Sequence, residues 1–276
     1  MAAAGRTSRD ATVVVPGGAE PEEVRGMSLG LVTVDLQGSV AVVEMHRPPN
    51  NFFDEASLRE LAQTLLRVDA MPEARCVVLC AEGRHFCAGA DLRDVDADGL
   101  RRVYREAFTI FTARKPVIAA VQGAAIGGGL GLALAADFRV AAENARFSAN
   151  FARLGFHQGF GLSVTLPAAV GSQKARDLLY TGRSVNGAEA LAMGLCDRVT
   201  AADPREEALA WAHDVALSAP LSLLSIRSTL RRELVARVSA ALDQEAAAQA
   251  VLLGTDDFRE GVQASIGKRA PSFTGA

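Results

Sequence analysis

Two apolar segments of the chain end in turns that are rich in glycine and alanine. One reads CAEGRHFCAGADL from Cys80 to Leu92, and the other reads VQGAAIGGGLG from Val121 to Gly131. Small residues let backbone N–H groups approach a ligand closely, and the helix N-terminus expected after each turn adds a partial positive charge. If the two turns face each other, they supply two backbone donors to one oxygen, as in an oxyanion hole.

Phosphate binding is a weaker interpretation of the same glycines. The motif GxxxxGK[ST] is absent, and GGGLG at Gly127–Gly131 does not fit GxGxxG with an acidic residue about 20 positions later. Another alternative is that the glycines only allow a helix to pack closely on a strand. The segment from Val121 to Asp137 also carries no acidic residue before its end, which any proton-transfer chemistry must accommodate.

Composition and charge limit the class of protein. Hydrophobic residues make up 49% of the 276 residues, which is enough for one large core, and the net charge of −3 gives no reason to expect nucleic acid or an anionic membrane as partner. Residues 1–27 are rich in Ala, Gly, Pro and charge, which predicts a disordered extension and not a secretory signal. The four cysteines show no metal-ligand spacing, so we expect reduced buried thiols, a cytoplasmic location and no metal site.

The elements that position the two turns follow from hydrophobic periodicity. Apolar runs around QGS at Gln37–Ser39 predict a hairpin, and leucines at helical spacing predict a helix over Ser57–Val68. Further helix is expected at Gly99–Ala113. Short apolar strands are expected at three places: Cys76–Gly83, Pro116–Gly123 and Asp137–Glu143. This alternation predicts an α/β fold with a mostly parallel, buried sheet.

The C-terminal third reads as almost entirely helical, and we expect it to pack on the sheet or on another subunit. The predicted helices are Leu162–Val170, Gln173–Thr181, Ala188–Ala192, Arg205–Leu217, Leu221–Ala236, Ser239–Leu253 and Asp256–Ile266.

Several ordered motifs resemble the enoyl-CoA hydratase/isomerase (crotonase) superfamily from about Leu31 to Phe273. The motifs are RPPNN, GRHFCAGADL, KPVIAAVQGAAIGGGLGLALAADFRVA, LLYTGRSVNGAEALAMGLCDRV and EGVQASIGKRAPSF. The resemblance implies a crotonase (ClpP-like) ββα spiral core with a C-terminal helical trimerisation section. After the disordered extension that composition predicts at 1–27, the resemblance predicts an acyl-CoA-binding core at 28–200 and a helical section at 201–276. It also implies a homotrimer or a dimer of trimers.

The resemblance assigns the oxyanion-hole amides to Ala90 and Gly128, which would hold the thioester oxygen as it becomes an enolate. No permanently bound cofactor is implied, because coenzyme A arrives as part of the substrate. The family pattern further predicts a set of substrate-binding residues that hold the pantetheine arm, the acyl group and the nucleotide: Arg47, Ala88, Gly89, Asp91, Leu92, Arg93, Phe151, Lys268 and Arg269. A solvated basic tail at Lys268–Arg269 and a helix cap at Asp91 are the competing interpretations.

The chain departs from the family at both catalytic glutamates of the hydratases. The first aligns with Gly131 and the second with Phe151, and neither residue can transfer a proton. General acid/base groups each contribute about 10²–10⁴-fold to rate, so the usual hydration is disfavoured. His157 is the first candidate for a relocated acid or base. Tyr104 and Glu106 are weaker candidates that we expect on a solvent-facing helix surface.

Three functional hypotheses stay open. The first is an acyl-CoA enzyme that works through a stabilised enolate by isomerisation, decarboxylation or hydrolysis. The second is a hydratase with unrecognised catalytic residues, and the third is a non-catalytic acyl-CoA-binding homologue. Phe151, Phe156 and Phe160 predict an apolar acyl site or, alternatively, plain core.

Overall fold

The computed structural model describes residues 27–28, 30–90 and 96–276. The predicted extension at 1–27 therefore lies outside the described residues except for the backbone of Met27. The predicted substrate-binding residues Asp91, Leu92 and Arg93 also lie outside them.

A twisted sheet with the strand order β1-β2-β3-β4-β5-β7-β10 forms the centre of the protein. The β1–β2 and β2–β3 pairs are antiparallel, and the pairs from β3 onward are parallel. Because β4 and β5 are buried along their whole length, they read as continuous apolar runs. The bounds of these strands are Met27–Ser28 (β1), Val32–Gln37 (β2), Val40–Met45 (β3), Cys76–Ala81 (β4), Val117–Val121 (β5), Phe138–Ala142 (β7) and Arg198–Thr200 (β10).

A second, smaller sheet has the order β6-β8-β9 and lies beyond the carboxyl end of β5. Its strands are Ala124–Ile126 (β6), Arg146–Ser148 (β8) and Ser184–Asn186 (β9). The sequence analysis did not predict these strands, because three residues are too few for an alternating pattern to be recognised.

Helices cover both faces of the large sheet. Helix α7 packs on one face, where Ala208 and Ala212 belong to the same buried cluster as Val42, Val78 and Ile118. The remaining helices described here enclose the other face and the small sheet. The helix bounds are Glu55–Ala70 (α1), Ala97–Phe111 (α2), Gly128–Ala135 (α3), Leu162–Val170 (α4), Ser172–Thr181 (α5), Gly187–Met193 (α6), Pro204–Ala216 (α7), Pro220–Leu252 (α8) and Asp256–Ile266 (α9), with a 3-10 helix at Asn150–Leu154.

Helix α8 corrects the prediction of two separate helices at Leu221–Ala236 and Ser239–Leu253. It is one continuous helix of 33 residues, because no proline or glycine interrupts its interior. Its second half carries the buried residues Val238, Leu242 and Glu245 and packs on α2 and α4. The hydrophobic pattern changes along the helix because its first half is mostly exposed, whereas the second half packs on other helices.

The described ranges contain neither a single helix that could cross a membrane nor a cluster of metal-ligating side chains. No single helix there is long and apolar enough to cross a membrane, and only the pair α7 and α8, bent by 107°, meets the length and composition requirement when taken together. No group of three or more His, Cys, Asp or Glu residues is arranged to hold a metal ion in this part of the chain.

Candidate active site

The two glycine-rich turns meet at the carboxyl end of the parallel strands. The N–H of Cys87 donates to the carbonyl of Ala124 at 2.9 Å, and the N–H of Ile126 donates back to the carbonyl of Cys87 at 3.0 Å. On the other side, the N–H of Phe53 donates to the carbonyl of Gly89 at 3.0 Å. These bonds fix the turn after β4 between the residue before α1 and the strand that leads into α3.

The glycine triplet is explained by one backbone conformation and by close contacts with two neighbouring residues. Gly127 has a φ of 56°, a conformation that side chains disfavour. A Cβ atom at Gly128 would lie 2.5 Å from Cζ of Phe53, and one at Gly129 would overlap the carbonyl oxygen of Cys87. The glycines therefore allow α3 to start directly against the neighbouring turn. Close packing, the alternative interpretation of these glycines, is part of their role.

A cavity of about 100 Å³ opens where the two turns meet. Ala88, Gly89, Ala90, Gly128 and Phe151, five of the predicted site residues, line it together. In the described part of the chain, neither Ala90 nor Gly128 donates its backbone N–H to another residue. Both amides are thus available to an acceptor, and the one of Gly128 stands at the N-terminus of α3.

Aromatic rings lie at or beside Gly131 and Phe151, the two positions that the sequence analysis predicted to align with the family's glutamates. A Cβ atom at Gly131 would lie 2.5 Å from Cβ of Phe160, whose ring centroid is 5.4 Å from that of Phe53. Phe151 is 8% exposed and borders the cavity, as do Phe156 and Phe160. This side of the cavity is apolar, and a carboxylate at position 131 would need Phe160 to move.

The polar side chains that line the cavity in the described ranges are Asp54, Tyr104, Asn150 and Gln249. Asp54 caps helix α1 by accepting the N–H of Ser57 at 2.8 Å and pairs with Arg47 at 2.8 Å. Burial alone would raise the pKa of the Asp54 carboxyl, but the hydrogen bonds from Ser57 and the charge of Arg47 outweigh it and lower that pKa. The Asp54 carboxylate is therefore ionised at neutral pH, and Ser57 and Arg47 already occupy it as partners.

Tyr104 is buried, which corrects the expectation that it lies on a solvent-facing surface. It shares the inner face of α2 with Leu100, Val103 and Ala107. Its hydroxyl donates to Oε1 of Gln249 at 2.5 Å. Burial, followed by the nearby charge of Glu245, raises the pKa of Tyr104 well above its ordinary value, so the hydroxyl stays protonated. Glu106, in contrast, does not line the cavity. Its carboxylate pairs with Arg59 at a distance of 3.3 Å.

His157 supplies its backbone to the site. Its carbonyl accepts a hydrogen bond from Nε2 of Gln249 at 2.8 Å, while its ring Nδ1 lies 2.7 Å from the carbonyl of Gln158. The residue is half-buried and is not among those that line the cavity. The structure therefore does not bring the imidazole of His157 together with Ala90 and Gly128.

Other polar residues near the two turns support the fold around the site. Asp137 accepts the N–H of Val117 at 2.8 Å and pairs with Arg227 at 2.7 Å. His85 lies with Nδ1 3.2 Å from the N–H of Ala124, and Ser148 donates to the carbonyl of Gly182 at 3.1 Å.

The predicted nucleotide-binding residues lie apart from the cavity wall. Arg269 pairs with both oxygens of Glu260, at 2.5 and 2.6 Å, and this pairing lowers the pKa of Glu260 to about 2. Lys268 is exposed, with a φ of 51°.

Sequence analysis did not predict Phe53, Asp54 and Gln249, which line the cavity, or Glu245, which lies behind it. Glu245 accepts the N–H groups of Gly161 at 2.8 Å and Ser163 at 2.9 Å, and so caps the start of α4. A signal for the pair existed in the segment DQEAAAQAV, where Glu245 and Gln249 stand one helical turn apart among alanines.

Comparison with known proteins agrees with the geometry. The profile of the Enoyl-CoA hydratase/isomerase family matches residues 35–276. A probable enoyl-CoA hydratase of Rhizobium meliloti is 36% identical over 255 residues, which cover 90% of this chain and 99% of that protein. A putative enoyl-CoA hydratase of Thermus thermophilus is 38% identical over 250 residues, or 86% and 98% of the two chains. The crystal structure of an enoyl-CoA hydratase/isomerase from Pseudoalteromonas atlantica superposes with a TM-score of 0.81 at 34% identity, covering 88% of this chain and 100% of that one.

Proposed function

The chain belongs to the enoyl-CoA hydratase/isomerase family, and from that premise we propose that it acts on acyl-CoA thioesters whose carbonyl oxygen is held by the amides of Ala90 and Gly128. The observation that carries the proposal is that both residues border one cavity and that neither N–H is used within the described chain. Two donors aimed at one oxygen stabilise an enolate more than the neutral thioester, and one such donor is worth roughly 3 kcal/mol in the transition state.

The polar side chains that line the cavity favour reactions that do not need two carboxylates. Hydration by the usual route activates water between two glutamates, whereas Gly131 and Phe151 stand at the aligned positions and Phe160 fills the space beside Gly131. Isomerisation, thioester hydrolysis and decarboxylation are the reactions within this proposal. Decarboxylation needs the fewest catalytic side chains. The bond between Cα and the carboxylate breaks, CO₂ leaves, and the electron pair of that bond forms the enolate. Cα then takes a proton from water.

Binding of a matched pair of ligands tests the role of the amides. Butyryl-CoA has the carbonyl oxygen and the thioether S-butyl-CoA lacks it, so calorimetry with the full chain measures the contact. Two hydrogen bonds of about 1 kcal/mol each predict that the thioester binds about thirtyfold more tightly. In Gly128→Ala the new methyl group meets the ring of Phe53, and we expect the difference to shrink to a few-fold. Gly254→Ala, where nothing lies within 4 Å of the added Cβ, is the control. Equal affinity of the wild-type protein for both ligands would refute the proposal.

A panel of reactions then separates the enzyme classes. Loss of CO₂ from methylmalonyl-CoA, exchange of the α-protons of butyryl-CoA in D₂O, thioester cleavage, and loss of the enoyl absorbance of crotonyl-CoA report the four chemistries. His157 is still only predicted to be an acid or base. A His157→Ala variant that loses turnover at unchanged thioester affinity would support that role, and unchanged turnover would remove it.

A non-catalytic acyl-CoA-binding protein is the second candidate function. It is favoured by the lack of a carboxylate at the two predicted glutamate positions, Gly131 and Phe151, and by the pairing of Asp54 with Arg47. It predicts the same preference for the thioester together with no turnover on the whole panel.

The same proposal includes the residues that bind the phosphates of coenzyme A and the contact between subunits of a trimer. The exposed Lys268 is available to the phosphates of coenzyme A, whereas Arg47 would have to exchange Asp54, and Arg269 would have to exchange Glu260, for a phosphate. Exposed apolar residues on the first half of α8, Leu221, Ile226 and Leu230, support a trimer contact. Light scattering of the purified chain measures that state directly.

A further inference from the structure

Tyr104 lies between two cavities of the protein. It lines the inner cavity that contains Ala90 and Gly128, and it also lines an outer groove of about 430 Å³ between α2 and α8. No other described residue is shared by the two linings. The aromatic ring therefore forms the partition between the candidate acyl site and the groove.

Contacts from two other segments, α8 and the loop that contains His157 and Gly159, hold this partition in place. The Tyr104 hydroxyl donates to Gln249, and Gln249 donates to the carbonyl of His157 at 2.8 Å. A Cβ atom at Gly159 would overlap the Tyr104 hydroxyl, so the absence of a side chain there makes room for it. Tyr104 is 8% and Gln249 2% exposed. Moving the ring would leave buried polar groups without partners, which is costly.

From this arrangement we infer that Tyr104, held by Gln249, closes the far end of the acyl site and restricts the protein to acyl groups of about four carbons or fewer. The inference rests on the proposed function, since it assigns the inner cavity to the acyl group. The size follows from the volume: a cavity of roughly 150 Å³ accommodates the six carbons of benzene, and this one measures about 100 Å³.

The outer groove indicates where a longer chain would go if the partition were removed. Its wall carries the apolar residues Phe108, Leu242 and Ala246, with Arg101 and Asp243 among its polar residues. Shortening Tyr104 joins the two spaces and offers apolar surface to the additional methylenes. Each buried methylene then strengthens binding about fourfold.

The test measures affinity as a function of acyl length in the full chain. Calorimetric titrations use acetyl-, butyryl-, hexanoyl- and octanoyl-CoA. We expect the wild-type protein to bind butyryl-CoA most tightly and octanoyl-CoA at least about tenfold more weakly, because the longer chain leaves methylenes unburied or displaces Tyr104. Tyr104→Ala should reverse the order, so that octanoyl-CoA becomes the tightest ligand.

Two further variants separate the partition from other effects. Tyr104→Phe keeps the ring and should keep the preference for short chains. Phe108→Ala alters only the outer groove and should also leave the wild-type preference unchanged. Tyr104→Leu replaces Tyr104→Ala if circular dichroism shows that the alanine variant does not fold.

The outcomes of these titrations distinguish the inference about Tyr104 from the proposed thioester binding on which it rests. Equal affinity of the wild-type protein for butyryl- and octanoyl-CoA, or an unchanged order in a folded Tyr104→Ala or Tyr104→Leu variant, overturns the partition while thioester binding stands. Failure of every thioester to bind overturns the proposed function and the inference together.

Discussion

The two ends of the inner cavity are built in different ways. At the amide end, backbone groups of Ala90 and Gly128 border the cavity, in turns that follow the neighbouring strands β4 and β5. At the far end, three side chains meet. Tyr104 comes from α2, Phe160 from the turn that precedes α4, and Gln249 from α8. Tyr104 and Gln249 are 145 residues apart in the sequence.

This difference teaches which changes each end tolerates. At the amide end Gly129 is confined by the backbone carbonyl of Cys87, which cannot move without disturbing its pairing with Ile126. At the far end the neighbours are side chains, which can repack at moderate cost. Substitutions at the amide end should therefore affect folding and the reaction, whereas those at the far end should change stability moderately and select among substrates.

The largest expected effect is that of Gly129→Ala. The added methyl group would overlap the carbonyl of Cys87, and the β6 pairing prevents that carbonyl from retreating. We expect the free energy of unfolding to fall by about 3 kcal/mol, although alanine is the better helix former by about 1 kcal/mol. Urea denaturation measures this, with Gly254→Ala as the matched control that should change by less than about 0.5 kcal/mol. Equal stability of both variants would show that the amide end is no more constrained than the surface.

A smaller effect is expected at the far end from Gln249→Leu. The substitution keeps the side-chain volume but leaves the Tyr104 hydroxyl and the His157 carbonyl without their partner. Each unpaired buried group costs about 1–3 kcal/mol, so we expect a loss of about 2 kcal/mol after relaxation. Gln263→Leu on the exposed surface of α9 is the control. A loss as large as that of Gly129→Ala would contradict the proposed contrast between the two ends.

The pH dependence of Glu245 gives a third prediction. Burial raises the pKa of this carboxyl despite its hydrogen bonds to the N–H groups of Ser163 and Gly161. Because the folded-state pKa lies above the unfolded one, Glu245 stabilises the protein most below the unfolded pKa and loses that contribution as the pH rises through the folded pKa. Relative to wild type, Glu245→Gln should therefore gain stability as the pH rises from 4 upward. Denaturation curves of both proteins across this range measure the difference, and a constant offset would contradict the raised pKa.

The smallest effect concerns the thiols. All four cysteines are buried, and burial raises the pKa of Cys87, beside the first turn, to about 12. At pH 8 only about one thiol in 10⁴ would be ionised, so native protein should resist iodoacetamide while urea-unfolded protein reacts at four sites. Mass spectrometry counts the adducts. Rapid native modification of Cys87 would indicate that the amide end opens.

The amide end could be predicted well from the sequence. Buried apolar strands ending in glycine predicted β4 and β5, and parallel pairing was enough to bring both turns to one edge of the sheet. The far end could not be predicted in the same way. Tyr104 was expected to face solvent because the sequence near it is charged, and α8, which covers it, was read as two helices. His157 was chosen for its chemistry, yet it does not line the cavity and contacts the lining residue Gln249 through its carbonyl.

By itself, the sequence determined the strand and helix types, the parallel sheet and the placement of two glycine turns, because each depends on residues close together in the chain. Only the tertiary structure decided which side chains close the cavity. Tyr104, Gly159 and Gln249 meet across three segments, and their contact depends on how α2 and α8 pack. Packing of that kind is cooperative and long-range, so periodicity and spacing do not encode it in a readable form.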